Sequence, residues 1–262
     1  MTSSAEVKSC CAAVYSSEAV RWLFGDALHP GGTDLTARLA RALDVGPGDL
    51  VLDVGSGLGT SAVAIARTTR CDVVGVDLSS ANVEDATARA AEAGLDRHVR
   101  FLAGDAEKLP LADASVAGAL SECSFCLFPD KRQAAAELAR VLRPGARLAL
   151  ADITAEPAEL PDALRTMTAW TACLAGARPL AGLVFLLEEA DFVVERVERH
   201  DEALSDLVAG IASRLDLVSG FGPALPQHLR DGAARARDLV GVVRKALDAE
   251  VIGYAAVYAS AP

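Results

Sequence analysis

The chain of 262 residues has no apolar run approaching the ~18 uninterrupted residues of a membrane span. Its most apolar stretch, Leu180 to Leu187, is bounded by Arg178, Pro179 and Glu188. Cationic side chains are outnumbered: 25 Lys and Arg stand against 36 Asp and Glu, for a net charge of −11. No basic cluster exists to follow a phosphate backbone, which argues against a nucleic-acid partner and favours a small molecule. The opening Met1-Thr2-Ser3-Ser4-Ala5-Glu6 lacks the basic-then-apolar order of a secretory signal, so a cytoplasmic setting is expected. No internal repeat is visible, and no linker is long enough to separate independent domains. Cysteine is sparse, with six residues (Cys10, Cys11, Cys71, Cys123, Cys126, Cys173), read as reduced thiols rather than a disulfide scaffold.

What is present is apolar bulk. Hydrophobic residues make up 52% of the chain, enough for a generous core and against disorder. The organising stretch is Val51-Leu52-Asp53-Val54-Gly55-Ser56-Gly57-Leu58-Gly59-Thr60: an apolar strand, three alternating glycines, then a helix from Ser61. Such a strand–turn–helix brings backbone close to a nucleotide-like ligand at a helix N-terminus. A dinucleotide fingerprint requires glycine at position 60; the threonine there argues against a nicotinamide cofactor.

A second strand, Cys71 to Val76, leads to Asp77, about 20 residues past Gly55, where an acidic side chain meets ribose hydroxyls in such folds. A helix (Ala81 to Gly94) and a strand (Val99 to Leu102) lead to Gly104-Asp105-Ala106. Asp105 by itself also reads as a helix N-cap. A fourth strand, Ser115 to Leu120, emerges at Ser121-Glu122-Cys123-Ser124-Phe125-Cys126; helix Lys131 to Leu142 and strand Ala146 to Ala151 follow. Upstream, residues 5 to 24 read as one amphipathic helix, and Thr33 or Asp34 as the cap of the next. Downstream, residues 157 to 190 read as a helical insertion, Phe192 to His200 as a strand, Ser205 to Val218 and Leu225 to Leu247 as helices, and Val251 to Ser260 as the last strand.

Asp53-x-Gly-x-Gly-x-Gly, Asp77, Gly104-Asp105-Ala106 and the passage Leu138 to Asp152 together resemble the class I methyltransferases dependent on S-adenosyl-L-methionine (SAM). The resemblance implies a doubly wound α/β, Rossmann-like sheet of seven strands in the order 3-2-1-4-5-7-6, the last antiparallel. A helical N-terminal segment and a helical insertion would cap the cleft. On that division residues 1–44 form the cap, 45–155 the SAM-binding core, and 156–262 the insertion and sheet completion. The implied cofactor residues are Asp53, Gly55, Ser56, Gly57, Asp77, Leu78, Gly104, Asp105, Ala106 and Ser121, with Asp105 and the Ala106 N–H meeting the adenine.

Trp170 to Ala177, Leu187 to Phe192, His29-Pro30-Gly31-Gly32 and Glu122-Cys123 further resemble arsenite methyltransferases and their relatives. That likeness implies a trivalent metalloid held by thiolates, soft ion on soft ligand. Cys173 matches an arsenic-binding position, and further thiolates would come from Cys10, Cys11, Cys123 or Cys126. Five of the six thiols are thus expected at one cleft, with Tyr15 beside them and Cys71 apart. The alternatives are an O-, N- or C-methyltransferase of a small natural product, with His29 or Glu122 as base, and a non-catalytic SAM-binding thiol or metal sensor. His29 reads equally as a cleft residue and a solvent-facing turn; His200 reads as a surface residue. Nothing in the sequence fixes an oligomeric state.

Overall fold

In a computed structural model of the chain, residues 4–15, 17–25, 28–166, 174, 176–220 and 227–262 are described. Strand β1 (Leu50–Val54) lies inside the sheet, apolar on both faces; Val51, Leu52 and Val54 are all buried. It pairs in parallel with β2 (Asp72–Asp77) on one side and β4 (Val116–Glu122) on the other. Strand β3 (Val99–Ala103) continues beyond β2. Strand β5 (Leu142–Ala155) lies beside β4, and β7 (Ile252–Ser260) runs antiparallel between β5 and β6 (Val193–Arg199). The seven-stranded order is β3-β2-β1-β4-β5-β7-β6, as the sequence implied. The order reverses between β1 and β4, which is where an open α/β sheet leaves a crevice at its strand ends.

Alternation along the strands sends one set of side chains to each face. Val51, Val73 and Leu120 join the core beneath α3 (Gly32–Ala42), α4 (Thr60–Thr69), α5 (Ser80–Glu92), α8 (Asp201–Gly220) and α9 (Gln227–Asp248). Leu52, Val54, Val74 and Val76 join the opposite core beneath α6 (Lys131–Val141) and α7 (Leu180–Glu188). No helix among the described residues is long and apolar enough to cross a membrane.

Several expected boundaries move. The single leading helix is two, α1 (Ser4–Tyr15) and α2 (Glu18–Phe24), because Ser17 caps α2 by accepting the Val20 N–H while donating its hydroxyl to Val14 O. Neither Thr33 nor Asp34 caps α3; the N-cap is Gly31, left-handed at φ 78°, with no side-chain cap bond. Strand β5 begins at Leu142 rather than Ala146, since Leu142 pairs with Val116 before the register shifts to Gly118 and Arg147. The insertion is not continuously helical. Among its described residues, only a short 3-10 turn (Asp162–Leu164) and α7 are helical, Pro179 opens α7, and Arg178 bridges back to Thr154. Trp170 and Cys173 lie outside the described residues.

Candidate active site

The glycine turn after β1 is left-handed at Gly55 (φ 71°), Gly57 (φ 50°) and Gly59 (φ 75°). The Gly55 and Ser56 N–H groups donate to Val76 O, fastening the turn to β2. Gly55 also leaves no room: a Cβ there would stand 2.5 Å from Ser124 Cβ. Ser124 cannot easily yield, because its buried hydroxyl donates to Val54 O at 2.9 Å. Gly55→Ala is therefore expected to cost about 2–4 kcal/mol from overpacking plus left-handed strain. Thermal unfolding of the variant checks this; a Tm equal to that of the parent refutes it.

Asp77, at the end of β2, is fixed by three donors. The Gly57 N–H reaches one oxygen at 2.8 Å; the Ser79 N–H (2.9 Å) and Asn82 Nδ2 (3.2 Å) reach the other. Gly104 joins the arrangement through its N–H on Asp77 O, and Asp105 follows in a turn rather than a helix. The helix-cap reading of Asp105 thus falls: its Oδ1 accepts the Glu107 N–H at 3.0 Å, closing a local turn. Its Oδ2 accepts from Lys8 of α1 at 2.7 Å. Burial would lower the Lys8 pKa, but hydrogen bonds to Asp105 and Glu107 outweigh it and the net shift is upward.

A buried polar network forms the floor. Glu122 ends β4, and its Oε2 accepts from Thr36 Oγ1 and Ser61 Oγ, each at 2.8 Å. His29 is buried, with Nε2 3.2 Å from Ser61 Oγ and Nδ1 3.6 Å from Glu122 Oε1. Of the two readings of His29, the cleft residue is the one observed. Asp53 accepts the Ala62 N–H in the first turn of α4, where a helix dipole favours a carboxylate. Desolvation, then the charges of Glu122 and Asp77, still hold its pKa well above the usual carboxylate range.

That shift has a sign. A raised folded-state pKa means the native state holds the proton more tightly, so stability declines as pH rises from about 4 through the folded value. Asp53→Asn removes this loss while keeping an acceptor for Ala62. We expect a higher Tm for the variant at pH 7–8, with the gain shrinking in acid; a Tm lower at pH 8 than the parent's contradicts the account.

These groups line one cleft at the strand ends, together with Leu78, Gly104, Ala106, Leu127, Phe128 and, from α1, Cys11, Ala12 and Tyr15. Among the described residues, four buried lining atoms lack a hydrogen-bond partner: Asp53 Oδ2, Ser56 Oγ, Asn82 Oδ1 and Glu122 Oε1. Asp53, Asp77, Asp105 and Glu122 face a cleft in which Lys8 is the one lysine or arginine among the described lining residues. Such a lining suits a ligand that brings amines, hydroxyls and positive charge. A second cleft, between the end of α2 with the start of α3 on one side and the start of α8 on the other, shares His29 and Thr60 with the first. His200 lines that second cleft and is partly exposed.

Among the described residues, the thiols do not all gather as expected. Cys11 and Cys123 line the main cleft, Cys123 in a left-handed conformation (φ 51°). Cys10 is half-buried on α1 outside the lining, and Cys126 turns beneath it, its N–H on Asp152. Cys71 is apart, as expected, beside Thr69. No group of three His, Cys, Asp or Glu able to hold a metal ion occurs among the described residues. Ser121, expected at the cofactor, is buried behind the lining and bonded to Ser124. Reading the sequence missed Lys8, Thr36, Ser61 and Asn82; only Asn82, in the helix after Asp77, carried a local signal.

Residues 52–150 match the methyltransferase domain family. The chain is 43% identical over 128 residues to methyltransferase GfsG of Streptomyces halstedii, covering 49% of this chain and 46% of the relative. It is 34% identical over 160 residues to an arsenite methyltransferase of Halobacterium salinarum, covering 60% and 40%. It is 38% identical over 147 residues to the 27-O-demethylrifamycin SV methyltransferase of Amycolatopsis mediterranei, covering 52% and 54%. The chain thus spans about half the length of these relatives. In fold it is similar over its whole length to the 4+2 cyclase SpnF, at TM-score 0.81 and 22% identity, covering 97% of that structure.

Proposed function

Because residues 52–150 match the methyltransferase domain family, we propose that the chain binds SAM and methylates a hydroxyl oxygen of a small organic acceptor. When bound, the cofactor supplies an electrophilic methyl group on a sulfonium. Asp77 holds the ribose hydroxyls, Asp105 and the Ala106 N–H hold the base, and the glycine turn with Asp53 receives the amino-acid end. Four carboxylates in one cleft with a single lysine support a cationic cofactor.

The observation that carries the acceptor reading is Glu122. Its Oε2 is pinned by two hydroxyls, while its buried Oε1 is unpartnered, lines the cleft and faces His29 Nδ1 at 3.6 Å. Pro30 O stands 3.2 Å from His29 Nδ1 and can only accept, so Nδ1 carries the ring hydrogen of a neutral imidazole. Glu122 Oε1 is then the basic atom that faces the cleft, with His29 beside it as its neighbour in the pair. An acceptor hydroxyl at Glu122 Oε1 loses its proton into this pair as the oxygen takes the methyl. His29 also walls the second cleft, by which an acceptor reaches the pair from the side away from the cofactor. The rifamycin relative's name, an O-methyl transfer, supports the same chemistry.

The arsenite relative and the lining thiols Cys11 and Cys123 favour a second reading, a thiophilic acceptor. S-adenosylhomocysteine (SAH) release separates the two, measured with a panel of phenols and aliphatic alcohols and, in parallel, with arsenite plus thiol. Release with hydroxylated compounds alone is expected. Release with arsenite alone, lost in Cys123→Ser, moves the assignment to the second reading. No release with either, despite SAM binding, removes both readings, since a fold shared with a cyclase does not fix the reaction.

A further inference from the structure

Lys8 projects from α1 onto two carboxylates at once, Asp105 Oδ2 at 2.7 Å and Glu107 Oε2. The other Glu107 oxygen accepts the Asp130 N–H at 2.8 Å, where α6 begins. One ammonium therefore ties together three segments: α1, the 104–107 turn, and the loop of Phe128 and Pro129 that enters α6. All three contribute to the wall of the main cleft. Helix α1 buries little of its own surface, with Val7 and Cys11 its buried residues, so a polar tie weighs heavily in holding it down. The tie is only partly sheltered: the side chains of Lys8, Glu107 and Asp105 are 21%, 13% and 36% exposed, so dissolved ions still reach it.

We propose that Lys8 is a positioning residue for the cofactor, a latch that holds α1 over the base end of the cleft and orients the Asp105 carboxylate. The inference rests on the reading of Asp105 as the partner of the adenine amine. Asp105 Oδ2 keeps a second lone pair while it accepts from Lys8, so latch and amine use the same carboxylate together. Cofactor leaving the cleft must lift α1, and lifting α1 breaks an ammonium contact with two carboxylates. Cys11 and Tyr15 ride on the same helix, so the wall that faces the acceptor closes with the cofactor pocket.

The test is the dissociation rate of SAH from the full chain, by stopped-flow competition, for the parent, Lys8→Met, Lys8→Arg and Glu107→Gln. Lys8→Met is expected to speed release about tenfold, and Lys8→Arg to restore it to within about threefold, since a charged donor is what the site requires. Glu107→Gln breaks the latch from the opposite side, and its effect combines with Lys8→Met less than additively. Raising salt from about 0.05 to about 0.5 M accelerates release from the parent and leaves Lys8→Met little changed. Hydrogen exchange of the α1 amides rises in both variants. Should the parent bind neither SAM nor SAH, the cofactor reading itself fails. Should the parent bind, and Lys8→Met release SAH at the parental rate with the parental salt response, the latch is wrong. The salt response and Glu107→Gln decide the matter even if Lys8→Met does not fold.

Discussion

Asp77→Ala is expected to weaken SAM and SAH binding by about 100-fold or more. Two contributions add. The carboxylate is the proposed partner of the ribose hydroxyls, and a hydrogen bond to a charged group is worth about 1.5–3 kcal/mol. The same carboxylate also holds the Gly57 N–H at 2.8 Å, so removing it frees the glycine turn that receives the other end of the cofactor. At about 1.4 kcal/mol per decade, the ribose contacts alone account for two decades. Asp77→Asn separates the contributions. Asparagine has one acceptor oxygen for a site with backbone donors on both sides, so its amide turns an N–H toward either Gly57 or Ser79. Its loss is expected to fall short of alanine's in stability yet approach it in affinity. Calorimetric titration with SAH, alongside Tm, reads both. An affinity for SAH within about threefold of the parent in Asp77→Ala removes Asp77 from the cofactor site and leaves it a structural tie between turn and helix.

How far the sequence reveals this protein depends on the range of the interaction concerned. The end of β1, the glycine turn and Asp77 are legible because each is set locally: strand alternation, positive φ at Gly55, and a fixed strand–helix–strand distance. The antiparallel β7 follows from the resemblance and is matched by its pairing with β5 and β6. The floor is another matter. Glu122 is anchored by Thr36 and Ser61, which lie far from it in sequence and carry no pattern that distinguishes them from any helix hydroxyl. The Lys8 latch is equally long-range. The four described thiols of the five expected together, Cys10, Cys11, Cys123 and Cys126, do not all meet at one cleft, for a geometric reason. After the left-handed Cys123, the 3-10 turn Phe125–Leu127 directs Cys126 to the far side, against Asp152. The insertion departs from a continuous helix because its apolar composition is interrupted by three prolines, Pro157, Pro161 and Pro179, and composition without unbroken periodicity does not specify a helix.

Glu122→Gln and His29→Ala carry the second large effect, on turnover rather than on cofactor affinity. Removing a positioned base costs about 10²–10⁴ in rate. Glutamine keeps the shape of Glu122, and the Thr36 and Ser61 hydroxyls can rotate to accept from its amide, so the floor survives the change. The variant also removes a negative charge facing Asp53, one of the charges that raise the Asp53 pKa, and its Tm is expected to rise. Cofactor affinity should stay within about threefold of the parent while kcat with a hydroxylated acceptor collapses, a split that general loss of structure does not give. The decisive reading is the pH dependence of the loss. An acceptor oxygen that is already ionised needs no base, so for a phenol the deficit of either variant should shrink as pH approaches the phenol's own pKa of about 10. For an aliphatic alcohol, which stays protonated, it should not. A deficit of equal size for both acceptors at every pH removes proton transfer from the roles of Glu122 and His29. If both variants instead turn over arsenite as the parent does while Cys11→Ser and Cys123→Ser are inactive, the floor carboxylate serves the cofactor's amino group and the two thiols are the chemistry.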